Sequence, residues 1–306
     1  MKPFCIFGIG AIGGLLGLFL ARAGLPVFAV VRREEQAEEL NRHGMKVSGL
    51  LEGSYKLLAS TRPPPEGCRY SLIVTKAYDA PLAISFAAPL SETLVTFSNG
   101  VIALERALEA KAATVGGIVE YGAVRRGDTH VEVRGMGRLV LGRARGSAAD
   151  PAPIAEALRR GGAAVEVVDQ IERWIWLKLA ANAVINPITA LLRSENGVVL
   201  EQSLRPLVEC LSEEVRRAAE ASGIELPEDP LEYTLRIAER TRRNRSSMLE
   251  DLESGRRTEV EEINGHVVSV AAKFGLDARC NRTLLALLRS LEYHKASRLY
   301  SSGSQR

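Results

Sequence analysis

A chain of 306 residues, 46% hydrophobic and 25% charged, is long enough for two domains with substantial cores, and its composition speaks against disorder. The net charge of +3 and pI near 8.7 come from dispersed arginines, the densest group being Arg242, Arg243 and Arg245, so a nucleic-acid partner gains no support. Four cysteines (Cys5, Cys68, Cys210, Cys280) stand far apart, with no CxxC pair and no histidine at ligand spacing; this argues against a metal site and a disulfide framework, and fits a reducing cytoplasm.

Residues 4–21 carry no charge and end in small residues, as a signal peptide or membrane anchor would. Gly8, Gly10, Gly13, Gly14 and Gly17 would destabilise a spanning helix, so no membrane association is expected. The segment reads better as a short apolar strand, Phe4-Cys-Ile-Phe7, running into Gly8-Ile9-Gly10-Ala11-Ile12-Gly13 and then a helix with Leu15, Leu16, Phe19 and Leu20 at helical spacing. Gly24 closes that helix and residues 26–31 form a second strand. The βαβ context makes the GxGxxG pattern a dinucleotide fingerprint: Gly8 permits the tight turn, Gly10 lets backbone approach a pyrophosphate, and Gly13 allows close helix–strand packing.

An acidic residue at the end of the second strand would bind the ribose 2′-hydroxyl of NAD. Here Arg32 and Arg33 occupy that place, which suits a 2′-phosphate, so NADPH is the expected cofactor. The alternative is two surface arginines paired with Glu34 and Glu35. Strands are expected at 72–76, 94–100 and 114–119, alternating with helices in a doubly wound rhythm. Lys76 and Asn99 fall at carboxyl ends of strands, where such sheets bind ligands. Otherwise Lys76 is an exposed loop lysine and Asn99-Gly100 a turn pair. The runs 129–134 and 138–142 read as a hairpin added at the sheet edge, and 163–168 as a last strand. The first domain then spans 1–169 and the second 170–306.

The second half has sparse glycine and helical periodicity at 171–186, 204–222, 231–252, 259–274 and 282–297, with a polar tail at 301–306. In the first of these helices Lys178, Asn182 and Asn186 recur every four residues. Each step of four advances only about 40° around the axis, so the three share one face. One ammonium with two carboxamides can donate a proton and hold hydroxyls or a carbonyl; a solvent-facing polar stripe is the alternative. Pro187 should bend or stop this helix. Thr258 can cap the 259–274 helix with Glu261 in a capping box, leaving Glu259 in the first turn, where the helix dipole favours a carboxylate.

Taken in order, Gly8-x-Gly10-x-x-Gly13, Arg32, Thr75-Lys76-Ala77, Ser98-Asn99-Gly100, Trp176-x-Lys178-x-x-x-Asn182-x-x-x-Asn186-Pro187, Ser246-Ser247-Met248 and Thr258-Glu259 through Ile263-Asn264-Gly265 resemble the 2-dehydropantoate 2-reductase (ketopantoate reductase) family over nearly the whole chain. The resemblance implies an α/β Rossmann-type doubly wound N-terminal domain. It also implies an all-α C-terminal domain of the 6-phosphogluconate-dehydrogenase-like kind. The implied activity is NADPH-dependent reduction of 2-dehydropantoate to (R)-pantoate in pantothenate and coenzyme A biosynthesis. Lys178 would be the general acid, with Glu259 positioning it and the substrate. Asn99, Asn182, Asn186 and Ser247 would hold substrate groups. The cofactor would lie on Gly8, Ile9, Gly10, Ala11, Ile12, Gly13, Arg32, Lys76 and Asn99. Asp79 and Ser98 depart from relatives that carry Gln and His at those places. No metal is implied, and the apolar helical half would support a homodimer. The rival readings are a reductase of another 2-oxo acid and an NADPH-binding sensor without catalysis.

Overall fold

The computed structural model describes the backbone of residues 2–303 and side chains to residue 294; residues 304–306 of the expected polar tail lie outside the described residues. Residues 301–303 belong to the last helix. The chain divides into two compact units, Met1–Glu172 and Arg173–Arg306.

The first unit runs β1 (Phe4–Phe7), α1 (Ala11–Arg22), β2 (Val27–Val30), α2 (Glu34–His43), β3 (Met45–Gly49), β4 (Gly53–Tyr55), β5 (Leu58–Ser60), β6 (Cys68–Ile73), α3 (Ala80–Ala87), β7 (Ser91–Thr96), α4 (Ile102–Glu109), β8 (Thr114–Val119), β9 (Gly122–Arg125), β10 (His130–Gly135), β11 (Leu139–Arg143), α5 (Ala152–Arg160) and β12 (Val165–Val168). Eight strands form the main sheet in the order β12-β11-β8-β7-β6-β1-β2-β5, parallel except where β11 meets β8. Strand β1 is fully buried, as its unbroken apolar run requires, and the chain winds away from it first through β2 and then through β6. That reversal of direction lies between β1 and β6, the kind of switch point where ligands bind beyond the strand ends.

A second sheet, β4-β3-β10-β9, was not expected from the sequence. Neither do 129–134 and 138–142 form a hairpin: β10 pairs with β3 and β9, whereas β11 pairs with β8 and β12 in the main sheet. The glycines between them are used to leave one sheet and enter the other; a Cβ on Gly137 would lie 2.3 Å from the Glu120 carbonyl oxygen. The second sheet also accounts for the small residues of α1. A Cβ on Gly14 would meet Val131 at 3.0 Å, and one on Gly17 would stand 2.1 Å from the Tyr55 hydroxyl, which donates to the Gly14 carbonyl.

The second unit contains α6 (Ile171–Leu192, whose first two residues belong with the first unit), α7 (Arg205–Ala221), α8 (Pro230–Arg240), α9 (Ser247–Glu253), a π-helical turn at Glu261–Gly265, α10 (His266–Lys273) and α11 (Arg279–Gly303). By length and composition α6 could cross a membrane, but 78% of its apolar window is buried inside the protein. The helix expected at 231–252 is two helices. The Arg242 and Asn244 carbonyls accept from Gly197 and Asn196, drawing the backbone out of helical register, and Ser246 restarts it by accepting from Leu249 N. The expected capping box is not formed either. Thr258 Oγ1 accepts from Val260 N, while the Glu261 carboxylate is taken by the Arg289 guanidinium, a two-pronged charged contact stronger than a backbone bond.

The cysteine expectation is overturned. Cys5 joins Cys68 and Cys210 joins Cys280. Sequence spacing says nothing here, because the first two lie on β1 and β6, neighbours in the sheet but 63 residues apart in the chain. The cysteines therefore give no ground for a reducing compartment. Thiol titration in denaturant should find no free cysteine before reduction and four after; free thiols in the unreduced protein would contradict the pairing.

Candidate active site

In the first unit the Gly8 turn follows β1 with φ at 95°, a left-handed conformation that favours glycine. A Cβ there would lie 2.9 Å from Thr75 N, so the turn passes directly against the loop after β6. Gly13 faces back onto this turn, where a Cβ would stand 2.3 Å from the Gly8 oxygen. Ile9 is buried, Ala11 opens α1 and Ile12 packs on the core. Gly10 is different: a Cβ would meet nothing within 4 Å. Helix α1 starts at Gly10 without a side-chain cap or an acidic residue in its first turn, leaving its positive end to an anion. Beside it, Thr75 Oγ1 is enclosed without a hydrogen-bond partner. Open approach at Gly10, an uncapped helix end and an orphaned hydroxyl are what a dinucleotide pyrophosphate requires, so the residues fit such a cofactor.

Arg32 and Arg33 follow β2, and their charges reach different partners. Arg32 Nη1 lies 3.1 Å from Asp79 Oδ2, its side chain 82% exposed. Arg33 Nη2 reaches both Asp128 oxygens at 2.7 and 2.8 Å, and Arg125 from β9 binds the same carboxylate. The partners are thus Asp79 and Asp128 rather than the adjacent glutamates; Glu34 accepts from Thr61 instead. Burial, together with the nearby charges of Arg33 and Arg32, pulls the Arg125 guanidinium below its ordinary pKa, a sign of the positive potential gathered at this end of the sheet. Sequence reasoning missed Arg125 and Asp128, which the unpredicted second sheet delivers. Lys76 follows β6 and caps a short 3-10 turn, and Asn99 follows the adjacent strand β7; both are half-buried. Ser98 Oγ donates to the Thr75 oxygen at 3.0 Å, tying these two strand-end loops together.

In the second unit Lys178, Asn182 and Asn186 lie on α6, which does not stop at Pro187 but continues to Leu192. Lys178 and Asn182 are half-buried and Asn186 is buried, among Leu177, Leu179, Ala180, Ala183 and Val184 that are fully enclosed. The stripe is therefore not a solvent-facing one. Thr189, one turn on, ties a second segment to this helix: its hydroxyl lies 2.7 Å from Ser246 Oγ and 3.0 Å from the Asn186 oxygen. Ser246 caps α9, so Ser247, exposed at the first position of that helix, is held close to the Asn186 end of α6. The segment bearing Glu259 also packs here. Asn264, five residues on, donates to the Ala183 carbonyl at 2.9 Å, and the His266 ring lies 5.5 Å from Trp176. Glu259 is buried, 4% exposed. Sequence reasoning gave Asn264, Thr189 and Ser246 no separate roles.

Glu262, one turn past Glu259, is 6% exposed; one oxygen accepts from Arg257 at 2.8 Å and the other has no partner. Burial raises its pKa, against the pull of Arg257, with Glu259 and Glu261 adding to the rise. A carboxyl that binds its proton more tightly when folded stabilises the fold at low pH, and that contribution is lost as pH climbs above the ordinary carboxylate range. The stability of Glu262→Gln relative to the parent should thus increase from about pH 4 towards neutrality. Urea unfolding at a series of pH values measures this, and a pH-independent difference would count against it.

Two family models match the chain: Ketopantoate reductase PanE/ApbA over residues 4–146, and Ketopantoate reductase PanE/ApbA C terminal over residues 170–292. The chain belongs to the ketopantoate reductase family. A curated relative from Archaeoglobus fulgidus, named 2-dehydropantoate 2-reductase, is 38% identical over 94% of this chain and 97% of its own. One of the same name from Pyrobaculum aerophilum is 35% identical over 94% and 97%. Among solved structures, a PanE/ApbA family ketopantoate reductase from Ralstonia eutropha superposes with a TM-score of 0.86 at 26% identity, covering 96% of this chain and 99% of that one. The fold is shared further, with a D-mandelate dehydrogenase solved with NADH at a TM-score of 0.84 and 21% identity. In the ketopantoate reductase family, then, the α/β sheet unit and the helical unit described above are the expected pair, and the chain is an oxidoreductase of that kind.

Proposed function

We propose that this protein reduces the C2 ketone of 2-dehydropantoate to (R)-pantoate with NADPH, on the way to pantothenate and coenzyme A. The observation that carries the reading is the partly buried polar face of α6: one ammonium and two carboxamides in line, with Ser247 held near the same helix through Ser246 and the Glu259 segment packed on it. In this reading residues 1–169 hold the dinucleotide and residues 170–306 supply substrate contacts and the proton. A cytoplasmic setting belongs to the same proposal, on the strength of a soluble cofactor and a small polar substrate rather than of the cysteines.

A bound reduced nicotinamide supplies the hydride that the ketone carbon accepts. Negative charge growing on the ketone oxygen is met by the Lys178 ammonium, which stabilises it and gives up a proton from Nζ. Glu259 keeps that ammonium and the substrate in place. Asn99, Asn182, Asn186 and Ser247 would bind the remaining oxygens. Gly8 through Gly13, Lys76 and Arg32 would hold the dinucleotide, Arg32 through the 2′-phosphate.

Purified protein mixed with NADPH and 2-dehydropantoate should oxidise the cofactor in proportion to ketoacid added. Faster turnover of pyruvate-sized or other branched 2-oxo acids would move the assignment to a different reductase. Binding of NADPH without oxidation by any of them would make the protein a sensor.

A further inference from the structure

Proline inside a helix removes one backbone donor, and here the carbonyl left without it is that of Ala183, four residues before Pro187. That oxygen is not left alone. Asn264 Nδ2 donates to it at 2.9 Å and also to Asn281 Oδ1 at 2.9 Å. Asn281 in turn donates from its carboxamide and its backbone to Glu214 Oε2, at 2.7 and 2.9 Å. Both asparagines are fully enclosed and Glu214 is 7% exposed. Asn264 lies in the π-helical turn, where the widened ladder changes the register between the residues before it, Glu259 among them, and those of α10.

The gap that Asn264 fills lies between Asn182 and Asn186. An unpaired carbonyl in an enclosed helix costs about 1–3 kcal/mol, so without Asn264 the helix would open at this turn and swing Asn186 away from the line of Lys178 and Asn182. We infer that Asn264 is a positioning residue: its carboxamide replaces the donor missing at Pro187 and so keeps the proton donor and the substrate-binding asparagines on one continuous helix face. This rests on the proposed reductase reading. It makes the proline a device that couples the helix bearing Lys178 to the segment bearing Glu259, because a continuous helix would need no carboxamide from outside.

The test is a rescue. Asn264→Leu should lower kcat for 2-dehydropantoate about 10- to 100-fold, in line with the cost of a small misplacement, and raise its KM while leaving the Kd for NADPH unchanged. Pro187→Ala restores a backbone N–H to position 187, so the Asn264→Leu/Pro187→Ala double variant should recover at least half of that loss on a logarithmic scale. A double variant as slow as Asn264→Leu, or slower, overturns the inference, since a role confined to Asn281 and Glu214 would not respond to position 187. If Asn264→Leu does not fold, the thermal midpoint decides: a folded double variant supports the coupling, and two unfolded proteins overturn it. Failure of the parent protein to reduce the ketoacid would instead sink the functional reading, and the rescue in thermal midpoint would still report on the bridge.

Discussion

Replacing Lys178 with alanine is expected to lower turnover of 2-dehydropantoate by about 10²- to 10⁴-fold, the range that a positioned general acid contributes. In the proposed reading the dinucleotide would bind through the Gly8 turn, the α1 terminus and the β2 end, all in the first unit, so the Kd for NADPH should change little. The separation of the two readouts is what makes the experiment informative. A lysine that merely packs on α6 would, when removed, lower stability and the active fraction together. An ammonium is also suited to the task because it is a far stronger acid than the alcohol that forms. Near-normal turnover by Lys178→Ala would rule out its role as proton donor, and single-turnover oxidation of NADPH would show whether the chemical step is the one affected.

Arg32→Ala should weaken NADPH about ten- to a hundredfold and leave NADH nearly unaffected, following the 1.5–3 kcal/mol of a charge-assisted contact to phosphate. The exposure of the Arg32 side chain argues for the lower part of that range, because water screens the pair. Asp79 enters as well. Its carboxylate occupies the guanidinium that a 2′-phosphate would take, so Asp79→Ala should shift the NADPH/NADH ratio in the opposite direction. Equal kcat/KM for the two cofactors in the parent protein would contradict the assignment.

The strand–turn–helix at the N-terminus was legible because every element in it is local: an apolar run, glycines at fixed spacing and a helix of matching period. The Lys178 face was legible for the same reason. What escaped depends on contacts between distant segments. Strands β3, β4 and β9 are short, and the glycines of α1 record the packing of β3 and β4 without naming them. Pro187 reads as a bend or stop because the donor that replaces its missing N–H is a carboxamide distant in sequence, that of Asn264, although a proline within an apolar helical run does ask which donor serves the carbonyl four residues back. The division of 231–252 was half-written in Ser246, a good cap in the middle of an assumed helix. Arg125 and Asp128 carried no signal in isolation.

Each disulfide closes a loop wholly inside one unit, Cys5 to Cys68 in the first and Cys210 to Cys280 in the second. The covalent cross-links therefore respect the same seam as the noncovalent contacts. Whatever chain entropy they remove from the unfolded ensemble is removed separately from each half, and a single backbone scission at residues 173–204 would yield two internally looped polypeptides that part in denaturant without any reductant.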